Sequence, residues 1–109
     1  MELTKTVRNA LDDKKALDIA ILDVTELSSV TDYYVMATGT SAPHIKALAE
    51  EVQKVLKQQE VRCHRKSGTA ESQWMVLDFV DVVVHIFSRD ARAYYALEDL
   101  WSDAPRMDE

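Results

Sequence analysis

The sequence predicts an α+β fold with α/β-type layers: one domain, a mixed five-stranded sheet and about three helices. Three observations predict it. Four runs of six to eight residues are rich in aliphatic, β-branched or aromatic side chains, and a fifth short run is basic; these are strand lengths rather than helix lengths. Three other stretches repeat their apolar residues at helical spacing. Three helices are too few to cover both faces of a five-stranded sheet, so one face should be left partly open. The chain has 109 residues, of which 47% are hydrophobic. That is one domain of common size with enough apolar material for one core.

The first helix should run from about Leu3 to Lys14, with Leu3, Val7, Ala10 and Leu11 on one face and Thr4 as its N-cap. Leu17 to Val24 reads as a strand, apolar on most of both faces and therefore central. Thr25 to Asp32 is polar and reads as a loop. Tyr33 to Thr38 is unbroken aromatic and apolar sequence, as in a second buried strand. Gly39-Thr40-Ser41-Ala42-Pro43 punctuates the chain. Gly39 permits a tight turn, Ser41 can cap a helix for about 1 kcal/mol, and Pro43 suits a first helical turn. The second helix then runs to about Gln59 on a stripe of Ile45, Leu48, Ala49, Val52, Val55 and Leu56. Val61 to Lys66 reads as a basic edge strand whose charges discourage further pairing. Ser67 to Ser72 reads as a loop around Gly68. The last helix should span about Asp90 to Ser102, with Ala93, Tyr94, Leu97, Leu100 and Trp101 inward, and residues 103–109 should fray.

Between that loop and the last helix, Trp74 to Phe79 and Val82 to Phe87 read as a β-hairpin. A two- or four-residue loop gives one register: Asp78 opposite Val83, Val76 opposite His85, Trp74 opposite Phe87. Side chains alternate between sheet faces. One face is then wholly apolar (Met75, Leu77, Phe79, Val82, Val84, Ile86) and must be core. The other carries Trp74, Val76, Asp78, Val83, His85 and Phe87. Large aromatics beside a carboxylate and an imidazole make a protein-binding surface, the rings supplying area and the polar groups orientation. The bland alternative, that a helix covers this face and His85 is a satisfied core histidine, stands about even on composition alone. Val80 at the tip fits poorly in a type I′ turn, which needs φ > 0.

Charge and composition narrow the function. The formal net charge is −6, which argues against binding free nucleic acid and suits a basic partner. No apolar run approaches the ~20 residues of a membrane span, and the N-terminus lacks the apolar core of a signal peptide; a cytoplasmic protein is expected. The single cysteine, Cys63, has no internal partner. His44, His64 and His85 lack ligand spacing, and Cys63 and His64 point to opposite faces of one strand, so no metal is expected. Cys63 or Ser41 as a nucleophile would need an oriented base, which the local sequence does not supply; a small buried or edge cysteine and a helix cap are the plain readings. Gly39-Thr40-Ser41 at a strand-to-helix junction could cradle a phosphate, but any N-capped helix looks the same. Asp78 and Asp81 could pair on a metal, as in nucleotidyl transfer, but they lie at opposite ends of the hairpin turn and Asp81 reads more simply as a turn residue. Glu98 and Asp99 lie in the last helix, where a solvated face is the plain reading.

Several segments together resemble the Iojap/RsfS family of ribosome-silencing factors. They are Asp32-Tyr33-Tyr34-Val35-Met36-Ala37-Thr38-Gly39; Ser41 with the helix after it; the hairpin Trp74-Met75-Val76-Leu77-Asp78-Phe79 with Val82-Val83-Val84-His85-Ile86-Phe87; and Arg92, Tyr95, Leu97, Glu98, Leu100 and Trp101. The resemblance spans nearly the whole chain. It departs at Ser67-Gly68, where the family usually has Glu-Gly, and at Val80, where it usually has Gly. It implies a nucleotidyltransferase-like fold without that fold's catalytic carboxylate pattern, no cofactor and no turnover. It also implies a partner, the large ribosomal subunit through ribosomal protein fourteen, and a role in blocking subunit joining, with a further role in large-subunit maturation. On this reading Trp74, Asp78, His85 and Phe87 mark the docking surface, with Glu98 and Trp101 beside it. The competing reading is a nucleotidyltransferase-like enzyme or nucleotide-binding protein. A homodimer formed through the open sheet face could coexist with the ribosome-binding reading, the same patch being masked in the dimer and used on the ribosome.

Overall fold

The computed structural model describes residues 2–25, 31–95 and 106–107. The elements follow the order α1 (Glu2–Asp13), β1 (Leu17–Asp23), β2 (Tyr33–Gly39), α2 (Ala42–Gln58), β3 (Arg65–Thr69), β4 (Trp74–Asp78), β5 (Val82–Ser88), α3 (Arg89–Tyr95) and β6 (Arg106–Met107). The six strands form one sheet in the order β3-β4-β5-β2-β1-β6. β2 and β5 pair in parallel, and all other neighbours are antiparallel.

One face of the sheet carries the main core. Val7, Ala10 and Leu11 of α1 and Ile45, Leu48, Ala49, Val52 and Leu56 of α2 pack on Ile21, Val35, Ala37, Leu77, Val84 and Ile86. Alternation along each strand sends Ala20, Leu22, Met36 and Phe87 to the opposite face, where Val24 and Ala91 complete a smaller cluster. The α+β expectation holds, and among the described residues the two faces are covered unequally.

The caps follow from local sequence. Ser41 Oγ accepts from the His44 amide at 3.2 Å, and Pro43 sits in the first turn of α2. Both long helices close on a left-handed residue that is not glycine: Lys15 at φ 63° after α1 and Glu60 at φ 62° after α2. The Ala16 amide reaches back to the Leu11 carbonyl at 3.0 Å, and the Val61 amide to the Leu56 carbonyl at 2.8 Å. This is the bonding of a Schellman end.

The α2 end explains the misplaced edge strand. Val61 spends its amide closing the helix, so the ladder starts later. β3 is Arg65–Thr69, not Val61 to Lys66. Gly68, expected in a loop, lies in the ladder opposite Met75. Its φ is +78°, and a Cβ there would stand 2.1 Å from the Trp74 carbonyl oxygen. Only glycine allows that approach.

Three further expectations need correction. Thr4 is buried inside α1 rather than capping it. Within the tail expected to fray, Arg106 and Met107 pair with Leu22 and Ile21, which covers backbone groups on the outer edge of β1. In α3, Ala91 faces inward, whereas Ala93 is exposed and Tyr94 is 81% exposed. The helix starts one residue early, at Arg89, and Ser88 Oγ accepts from the Ala91 amide at 3.0 Å, which sets its phase. Leu97, Leu100 and Trp101 lie outside the described residues. Among the described residues, no helix is long and apolar enough to cross a membrane.

Candidate protein-docking face

The hairpin register is the expected one: Trp74 opposite Phe87, Val76 opposite His85, Asp78 opposite Val83. Parallel pairing of β5 with β2 extends each row, setting Thr38 beside Phe87, Met36 beside His85 and Tyr34 beside Val83. The sheet face away from α1 and α2 therefore carries three rows of side chains running across β4, β5 and β2.

α3 covers one end of this face. The Arg92 guanidinium lies 5.5 Å from the Phe87 ring centroid. Its Nη1 donates to the Asp18 carbonyl at 2.7 Å and to Thr38 Oγ1 at 2.9 Å. Asp18 sits at φ 49° where β1 bulges between Leu17 and Ala20, and the bulge is where its carbonyl meets the guanidinium. Phe87 is consequently 0% exposed. Its expected place on the docking surface is wrong: it is the floor under α3, because an aromatic ring with a cation and Ala91 above it has no surface left.

Thr38, Met36 and Val83 of this face are also buried, and Tyr34, Trp74, Val76, Asp78 and His85 are half-buried. Trp74 Nε1 donates to His85 Nδ1 at 3.1 Å, which places the imidazole proton on Nε2. Burial lowers the His85 pKa from 6.5 to about 4, so the ring is neutral at neutral pH. His85 sits among the rings of Tyr34, Trp74 and Phe87, with centroids 5.4, 5.9 and 6.3 Å away. Burial, and secondarily the Asp78 carboxylate, raises the Tyr34 phenol above its ordinary 10; it remains a donor. Asp78 Oδ1 accepts from the Val80 amide at 2.8 Å, which holds the carboxylate at the hairpin tip.

This arrangement joins a neutral imidazole, a protonated phenol and a backbone-anchored carboxylate around an indole. Its chemistry is that of contact: apolar area with fixed polar groups at its margin. Trp74, Asp78 and His85 are brought together as expected. Tyr34 and Val76 join them; Val76 was already on this face in the hairpin reading, but Tyr34 was read only as part of a buried strand. Its alternation was legible, but the β2–β5 pairing that brings it beside Val83 was not. Glu98 and Trp101 lie outside the described residues.

The other candidate sites are separate. At the Gly39-Thr40-Ser41 turn the Thr40 amide donates to His44 Nδ1 at 2.9 Å, and Ser41 Oγ is taken by the His44 amide. The Thr40 amide, a donor that a phosphate would need, is used within the turn, and the Ser41 oxygen serves as the helix cap. His44 Nε2 lies 2.7 Å from the Lys14 carbonyl, so this imidazole ties the end of α1 to the start of α2. The Asp81 carbonyl accepts from the Asp32 and Tyr33 amides, both at 3.1 Å, which makes it a structural corner. Cys63 Sγ donates to the Arg65 carbonyl at 3.2 Å. Among the described residues, no three His, Cys, Asp or Glu side chains are grouped to hold a metal ion.

The chain matches known proteins along its length. The family model described as "Ribosomal silencing factor during starvation" matches residues 1–109. The ribosomal silencing factor RsfS of Halalkalibacterium halodurans is 39% identical over 107 residues, covering 98% of this chain and 92% of that protein. The RsfS of Bacillus subtilis is 39% identical, covering 97% of this chain and 90% of that protein. A crystal structure of a Chromobacterium violaceum protein superimposes with a TM-score of 0.90 at 39% identity, covering 93% of this chain and 84% of that one.

Proposed function

From the premise that the chain belongs to the family of ribosomal silencing factors, we propose that its half-buried sheet face docks on the large ribosomal subunit. On this proposal the face binds ribosomal protein fourteen and stands in the way of the small subunit. A role in ribosome silencing comes with the family; the partner and the steric block are the finer reading. The observation that carries it is the Trp74–His85 pair. A large indole, only partly buried, is fixed by its N–H beside Tyr34, Val76 and Asp78. Rigid aromatic anchors with oriented polar neighbours are what dominate binding energy at protein interfaces. The surface is built before any partner arrives, which limits the ordering cost of binding.

The test is co-sedimentation with isolated large subunits, isolated small subunits and joined ribosomes. The expected result is binding to free large subunits alone and less rejoining when small subunits are added. Binding to both subunits alike, or to neither, would overturn the proposal. A nucleotidyltransferase-like activity draws no support from the Gly39-Thr40-Ser41 turn, where the Thr40 amide is spent on His44 and Ser41 acts as a helix cap. A thermal-shift titration with nucleotides and Mg²⁺ checks that alternative: a ligand at a hundred times its dissociation constant would add about 2.7 kcal/mol of stability.

A further inference from the structure

We propose that the β3 edge is a second contact surface, one that meets the sugar-phosphate backbone of ribosomal RNA beside the docked face. The inference rests on the large-subunit reading above. Its starting point is charge segregation. Residues 54–66 hold five of the chain's 13 Lys and Arg (Lys54, Lys57, Arg62, Arg65, Lys66) but one of its 19 Asp and Glu, Glu60. A chain with net charge −6 thus concentrates cations along one edge, and every one of those five side chains is exposed. Among the described residues, Lys54 alone of the five pairs with a carboxylate, Glu51 at 3.9 Å.

The fold places these cations on both sides of the outermost strand. β3 pairs with β4 alone, so its outer backbone groups face outward. Arg65 stands opposite Asp78, on the side of the docking face, and Lys66 stands opposite Leu77, on the side of α2. On that side Lys66 and Lys46 share the lining of a groove between α2 and β3 with Glu50 and Glu71. Lys57 and Arg62 line its continuation past Gln53, with no carboxylate among the described residues that line it; the phosphate path is therefore the Arg62–Lys66 stretch of the edge. A phosphate backbone running along the edge meets Arg65 on one flank, Lys66 and Arg62 on the other, and strand amides between them. Lys, Arg and backbone N–H groups are the standard partners of phosphate oxygens. An acidic peptide strand added to this edge is the competing occupant. It is disfavoured because Gly68, at φ +78°, departs from the extended backbone that an added strand would pair with, and charged side chains on an edge discourage strand addition. The net negative charge still opposes free RNA, so the edge acts only after the docking face has brought it to the subunit, through raised effective concentration.

The experiment compares the wild-type chain with the triple variant R62Q, R65Q, K66Q, whose sites are all exposed and whose fold is checked by thermal melting. Binding to purified large subunits is titrated from about 50 to 300 mM salt, and each lost phosphate contact should flatten the slope of log affinity against log salt by about 0.7–0.9. The expected result is a slope shallower by about two to three and affinity at least tenfold weaker at about 100 mM salt. A benzophenone amino acid placed at the position of Lys66 should crosslink to ribosomal RNA. Unchanged affinity and slope, or a crosslink to protein alone, overturns the edge while leaving large-subunit docking intact. If the wild-type chain itself fails to bind large subunits, the docking reading falls, and the edge falls with it.

Discussion

At the scale of single residues, Trp74 and His85 are one unit. Trp74→Ala removes the indole and leaves His85 Nδ1 without its donor; large-subunit affinity should fall by about 2 kcal/mol or more if the indole is a hot spot. Titration with large subunits checks this, and a melting curve separates lost contact from lost fold. His85 also makes stability depend on acid. Its folded pKa of about 4 lies below its ordinary 6.5, so the unfolded chain holds the proton more tightly. The His85 contribution is complete above pH 6.5 and is lost as pH falls toward 4, by up to about 3 kcal/mol. In His85→Phe the stability difference between pH 7.5 and pH 4.5 should shrink, even where the variant is less stable at both. Val80 is the opposite case, a residue its position does not suit. The Asp81 amide bonds to the Phe79 carbonyl at 3.0 Å across Val80 at φ 76°, a γ-turn that a β-branched residue enters at a cost. Val80 is also 52% exposed, so little packing is lost on replacing it. Val80→Gly should raise stability by roughly 1 kcal/mol in urea unfolding, with no change in the hairpin register.

At the scale of elements, the glycine shortage is felt at helix ends and strand edges. Glu60 closes α2 in a left-handed conformation that glycine adopts freely. Glu60→Gly should therefore stabilise the chain by up to about 1 kcal/mol, read as a shift in the urea midpoint. Gly68→Ala should do the reverse. Its Cβ would collide with backbone of β4, so β3 must separate from Trp74, and both stability and large-subunit binding should drop together. Loss of binding with an unchanged melting temperature would contradict this account. α3 is held on the sheet by Arg92, whose bonds reach β1 and β2 at once. The helix was legible as a helix, but its inward residues were not. Its phase depends on Ser88 acting as cap and on Phe87 needing cover, and neither is visible in a seven-residue span.

At the scale of the whole molecule, sheet order gives each face its use. The central strands β5 and β2 run in parallel and are covered by α1 and α2 on one side, while on the other, among the described residues, α3 covers the Phe87 end. Among the described residues this leaves a pre-formed, half-buried surface with the basic β3 at one margin. Much of this was determined by the sequence alone. The α+β class, four of the strands, the N-cap of α2 and the register of the hairpin follow from turn chemistry, periodicity and alternation, which are properties of a few adjacent residues. So does the gathering of Trp74, Asp78 and His85 on one face. The tertiary structure decided what depends on residues far apart in the chain. Pairing of β2 with β5 brought Tyr34 into the site. Docking of α3 took Phe87 out of it. Closure of α2 on Val61 moved the edge strand to Arg65–Thr69 and put its cations on both flanks. Local rules choose an element and its faces, but which face is covered depends on long-range packing, where burial and the satisfaction of distant backbone groups outweigh local preference.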